Sequence, residues 1–155
     1  MNQNVIKHWD DSRHIAVLHK GSWYQLPIHS GQRLYTPPEL ELAFENIFSK
    51  EVQPAPGEEH LAALTAGKRV PWALARKKYF SHGVNKNSLN AIERSAFVLV
   101  FDEESYTYDP NDSKKLDRWA HSMLHGRGFD RWFDKTFNII VGKNANSGLN
   151  AEHSW

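Results

Sequence analysis

Residues 88–104 read SLNAIERSAFVLVFDEE, and this stretch decides the fold. It starts helical, with Ser88 as a cap and Leu89 and Ile92 three residues apart on one face. Ala96 to Phe101 then form an apolar run of strand length, rich in β-branched and aromatic side chains, which predicts a buried strand. A helical pattern followed directly by a buried strand implies an α/β chain.

The flanking segments extend that reading. In HIAVLHKGSWYQLPI, residues 14–28, two apolar runs meet at Lys20-Gly21, so a hairpin with strands near Ile15–Leu18 and Trp23–Ile28 is expected. TPPELELAFENIFSK follows at residues 36–50, with Thr36 as N-cap, Pro37 in the first turn and Glu39 placed for a capping box. Leu40, Phe44, Ile47 and Phe48 recur at helical spacing and predict one buried face. A short helix is expected over 58–66 with Gly67 at its end, and a further helix from Pro71, with Trp72, Ala75 and Tyr79 or Phe80 facing inward. SHGVNKN, residues 81–87, reads as a turn-rich connection.

Beyond the central stretch, TYDPNDSKK is a polar loop leading to a helix over about Ser113–Leu124, with Leu116, Ala120, Met123 and Leu124 toward the core. TFNIIVG, residues 136–142, is a strand; KNANSG is a turn; LNAEHSW, residues 149–155, begins the partner strand. The expectation is several helices and four or five strands, in one domain spanning residues 1–155.

Composition narrows the function. Lys plus Arg number 19 and Asp plus Glu 18 in 155 residues, so the chain lacks the basic excess of a nucleic-acid groove, and its densest cluster is only Arg76, Lys77 and Lys78. No nucleic-acid partner is expected. Cysteine is absent, which excludes disulfides, thiolate metal sites and thiol nucleophiles. No run approaches the roughly 18 apolar residues of a membrane span, and no targeting segment is visible.

Motifs leave few candidates. His121 and His125 share a helix face, but no HExxH pattern accompanies them, and His8, His14 and His19 are six and five residues apart, so no metal site is expected. SGQRL, HGRGF and NSGLN carry glycines without a phosphate-binding fingerprint. In DRWFDK, residues 130–135, Asp130, Arg131, Asp134 and Lys135 alternate with aromatics. That pattern suits a structural clamp of partly buried ion pairs better than substrate contact. His153 remains the catalytic candidate. In strand register with Leu149 and Ala151 it would occupy an inner face, where a neutral imidazole could serve as general base. Glu152 would face away and cannot orient it.

The blocks DSRHIAVLHKGSWY, EEHLAALTAGKRVPWALARKKYF, NKNSLNAIERSAFVLVFDEE and LHGRGFDRWFDKTFNIIVGKNANSGLNAEHSW resemble the choline/carnitine O-acyltransferase family over nearly the whole chain. The resemblance is strongest to its mitochondrial carnitine palmitoyltransferase type, in particular that of the outer membrane. It implies part of a two-lobed, chloramphenicol acetyltransferase-like fold, lacking the C-terminal lobe. The implied activity moves a long-chain acyl group between coenzyme A and the L-carnitine hydroxyl, with the family's histidine on His153 and a mitochondrial location for the parent. Acyl-CoA and carnitine would be substrates, with no tightly bound cofactor or metal. The family sets an aspartate four residues beyond this histidine, and this sequence stops two residues beyond it, so an internal segment with weak or no activity alone is expected. The alternatives are a non-catalytic product that binds acyl-CoA or protein, or a relative using choline or a shorter acyl chain.

Overall fold

A computed structural model describes residues 5–151. Glu152, His153, Ser154 and Trp155 therefore lie outside the described residues. A five-stranded sheet runs in the order β2-β1-β5-β6-β7, built from β1 (His14–His19), β2 (Ser22–Pro27), β5 (Val98–Phe101), β6 (Phe137–Val141) and β7 (Ser147–Ala151). The three central strands are parallel and the two outer ones antiparallel to their neighbours. A separate two-stranded ribbon joins β3 (His29–Ser30) to β4 (Arg33–Leu34). The helices are α1 (Pro37–Phe48), α2 (Ala63–Ala66), α3 (Arg69–Tyr79), α4 (Gly83–Glu93) and α5 (Ser113–His125), with a 3-10 turn over Glu58–His60. The α/β class expected from the sequence is the one observed.

The first hairpin turns on Lys20 and Gly21, whose φ values of 48° and 76° are both positive. This is the backbone a two-residue turn needs to match the twist of its strands. A side chain at Gly21 would also overlap Glu59. At the start of α1, both the backbone N–H and the hydroxyl of Thr36 donate to Glu39 Oε2 at 2.8 Å, and Arg33 grips the same carboxylate with two bonds of 2.7 Å. Those contacts, led by the Arg33 bonds, hold the Glu39 carboxyl at about 2.

Strand alternation sorts the core into two layers. Ala16, Leu18, Val98, Val100 and Ile140 face one side, where they pack with Ala62, Trp72, Leu89, Ile92, Met123 and Trp132. Ile15, Val17 and Leu99 face the other, against Ile47 and Phe44 of α1. At the β6–β7 end this second face opens: Leu149 is 58% exposed and Ala151 is exposed.

Four local expectations are corrected. SHGVNKN is no loop: α4 begins at Gly83 and holds Ser88 in its interior, because Leu89 and Ile92 are buried against the sheet and one continuous helix presents both. Phe48 of α1 is exposed, and Ile47 is the buried member of its set. In α5, Leu116, Ala120 and Leu124 are exposed and only Met123 of the expected face is buried. The helix is rotated so that Trp119 and Met123 meet Gly148 of β7, where any Cβ would overlap Met123. Finally, Leu149 and Ala151 lie on the open face, whereas Asn150, expected to point away from the core side, is buried.

Candidate active-site strand and its supports

β7 is the last described strand, and its sequence continues into His153. It pairs with β6 from Val141↔Ser147 to Phe137↔Ala151. Its C-terminal end therefore lies beside the start of β6, where Phe137 stacks on Phe97 with ring centroids 5.2 Å apart and planes 19° apart. On this face Ile15, Ile28, Tyr35, Leu40, Phe97 and Ile139 help line an apolar pocket of about 270 Å³. A larger polar cleft, about 880 Å³, sits at the other ends of β1 and β5, lined among others by Lys20, Glu59, His60, Asp102, Arg127 and Asp130.

The segment before β6 anchors these strands, and each charge of DRWFDK engages a different element. Arg131 is fully buried. Its Nη2 donates to Asp102 Oδ2 at 3.1 Å and to the Ser122 carbonyl at 2.7 Å, and its Nη1 donates to the Asp130 carbonyl at 2.9 Å. One side chain thus joins the end of β5 to the last turn of α5, where a cation is also favoured by the helix dipole. Asp130 accepts from the backbone N–H and Nε of Arg127, both at 2.9 Å. Asp134 reaches α3, accepting from Arg69 at 2.7 and 3.0 Å and from Trp72 Nε1 at 2.7 Å. Lys135 reaches the end of α4, donating to the carbonyls of Glu93 and Ser95, each at 2.5 Å. Burial holds the Lys135 ammonium down at about 8.

These contacts make the segment a clamp, as its alternation of charges and aromatics suggested. Breaking such a buried pair is expensive because the remaining charge has no water to turn to. Tyr106 completes the Arg131 network by donating its hydroxyl to Asp102 Oδ2 at 2.5 Å. Burial pushes the Asp102 carboxyl upward, but the Tyr106 and Arg131 hydrogen bonds outweigh it and leave it below its ordinary value. Burial and the Asp102 bond push the Tyr106 hydroxyl the other way, up.

Asparagines carry the remaining support. Asn138 accepts from Trp132 N at 2.9 Å and donates to Trp132 O at 3.1 Å, closing a reciprocal pair with the clamp. Asn150, 6% exposed, donates through Nδ2 to the carbonyls of Met123, at 3.3 Å, and Leu124. At the turn between β6 and β7, Asn144 and Asn146 both donate to the Tyr106 carbonyl, at 2.7 and 2.5 Å. The sequence reading did not single out these residues. A visible signal existed: polar residues at core parity, in TFNIIVG at Asn138 and in GLNA at Asn150, must find buried partners.

His121 and His125 stand 5.6 Å apart, both exposed. Among the described residues no group of three or more histidine, aspartate or glutamate side chains could hold a metal ion, and no helix is long and apolar enough to cross a membrane.

A parallel-centred sheet with an antiparallel last strand, held from behind by a buried arginine clamp, is the setting in which comparison with known proteins becomes informative. The choline/carnitine O-acyltransferase family model matches residues 1–155, and the chain belongs to that family. It is 52% identical over 152 residues to the muscle isoform of carnitine O-palmitoyltransferase 1 from Homo sapiens, covering 98% of this chain and 20% of that protein. Identity to the human liver isoform is 48%, with the same coverages. Human carnitine O-palmitoyltransferase 2, mitochondrial, is 37% identical over 94% of this chain and 21% of its own length. The chain spans about a fifth of the length of these curated relatives.

Proposed function

We propose that this chain belongs to an enzyme that transfers a long-chain fatty acyl group reversibly between coenzyme A and the hydroxyl of L-carnitine, with His153 as general base. The observation that carries the proposal is identity near 50%, across almost the entire chain, to proteins named carnitine O-palmitoyltransferase. In the forward direction the imidazole takes the carnitine hydroxyl proton as that oxygen attacks the thioester carbon. The tetrahedral oxyanion collapses, the carbon–sulfur bond breaks, and the imidazolium returns its proton to the departing thiolate.

The described residues would supply one wall of the reaction chamber. Leu149, Ala151 and the apolar pocket beside Ile139 share the open sheet face, whose chemistry suits an acyl chain. The oxyanion needs donors placed where charge develops, and the family's serine and threonine cluster for that task has no counterpart in this sequence. A second lobe would supply it and complete a two-lobed fold. The 155-residue chain alone is accordingly expected to turn over weakly or not at all. One relative's name includes the word mitochondrial, and we assign the full-length protein to mitochondria, at the outer membrane.

The test is release of coenzyme A from palmitoyl-CoA in the presence of L-carnitine by the full-length acyltransferase bearing this sequence. Carnitine-dependent release that His153→Ala abolishes is expected; choline in place of carnitine, and acetyl-CoA in place of palmitoyl-CoA, separate the related chemistries. A protein that binds acyl-CoA without carnitine-dependent release would be the non-catalytic alternative.

A further inference from the structure

β7 is an edge strand among the described residues, and edge strands fray unless something other than one ladder holds them. Here the second hold is α5. The helix leaves its last carbonyls without intrahelical donors. Arg131 takes the Ser122 carbonyl, and Asn150 takes those of Met123 and Leu124. Two positions earlier, Gly148 lets the strand approach so closely that a Cβ would overlap Met123 Sδ and Cγ and sit 3.3 Å from Trp119. An amide buried at 6% exposure on a terminal strand, in a position where an apolar residue would pack, has a directional task rather than a purely hydrophobic one.

We infer that Asn150 is a positioning residue: its bonds to the end of α5 fix the register and height at which the chain leaves β7, and so set where His153, three residues on, meets substrate. This rests on the proposed role of His153. Three residues of chain reach at most about 10 Å, so a strand end lifted from α5 is transmitted to the imidazole with little slack. A misplacement of about 1 Å can cost on the order of a hundredfold in rate.

The experiment uses the full-length acyltransferase bearing this sequence, with Asn150→Ala, Asn150→Asp and His153→Ala measured side by side for kcat, for KM toward palmitoyl-CoA and carnitine, and for thermal midpoint. Asn150→Asp keeps the shape but removes the donors. Both Asn150 variants are expected to lose kcat roughly ten- to a hundredfold per folded molecule, with KM within about twofold and a displaced pH profile for kcat/KM. A lowered midpoint with unchanged kcat per folded molecule would overturn the inference and leave the His153 reading standing. Full activity in His153→Ala would remove the base and the inference with it. If neither Asn150 variant folds, Trp119→Phe, which thins the α5 face against Gly148, decides: a several-fold fall in kcat at constant KM supports the inference, and wild-type kcat overturns it.

Discussion

Asn138 and Asn150 stand opposite each other across β6 and β7 as register partners, both buried, yet each turns its amide to a different support. Asn138 closes a two-bond ring with the backbone of Trp132, and Asn150 closes the end of α5. The hairpin that leads to His153 is thus tied on one face both to the arginine clamp and to a helix terminus.

Asn138→Leu, of similar size, keeps the packing but leaves the Trp132 N–H without its acceptor. Leaving a buried donor unpaired costs about 1–3 kcal/mol. Urea unfolding should show that loss with an unchanged m-value; a variant as stable as the parent would mean the reciprocal pair contributes nothing net.

Arg131→Met leaves Asp102 and Asp130 facing one another's neighbourhood without the guanidinium that joins them. Removing one partner of a buried pair costs about 3–5 kcal/mol, and the Asp102 carboxyl should titrate higher. Arg131→Lys should recover little, since a single ammonium cannot reach Asp102 and the Asp130 and Ser122 carbonyls as the planar fork does. Denaturant midpoints for the two variants check both statements; full rescue by lysine would contradict the geometry.

Glu39 gives a pH dependence of definite sign. Its carboxyl titrates at about 2 in the folded protein and at its ordinary 4.5 in the unfolded chain. The unfolded state therefore binds more protons between those values, and stability falls as pH drops through them. The stability advantage over Glu39→Gln should be full above pH 4.5 and shrink toward pH 2. A gap independent of pH would show that Arg33 and Thr36 do not hold the charged form.

Much of the sheet was legible because its strands are short β-branched runs bounded by turns: Lys20-Gly21, the helix-to-strand switch before Val98, and KNANSG between β6 and β7 all fell where expected. The helices were harder. Asn85, Lys86 and Asn87 have the composition of a turn, and only the burial of Leu89 and Ile92 carries α4 back through them. In α5 the sets Leu116, Ala120, Leu124 and Trp119, Met123 have the same spacing, and the close approach at Gly148 selects the second, which periodicity alone cannot. The clamp was readable as alternating charge and aromatic residues, but its partners Asp102, Ser122 and the carbonyls of Glu93 and Ser95 are remote in sequence. The face leading to His153 was misread because Leu149 looks like a core residue; Asn150, which looks like a surface residue, is the buried one.

The central claim is that this sequence carries the base of a carnitine acyltransfer. The most direct measurement is kcat for palmitoyl-CoA and L-carnitine in the full-length acyltransferase bearing it, with and without His153→Ala. Loss of a general base costs roughly a hundred- to ten-thousandfold, so a fall of at least about a hundredfold, with the folded fraction unchanged, is the result the account predicts. A His153→Ala enzyme that turns over at the parent's rate would contradict it.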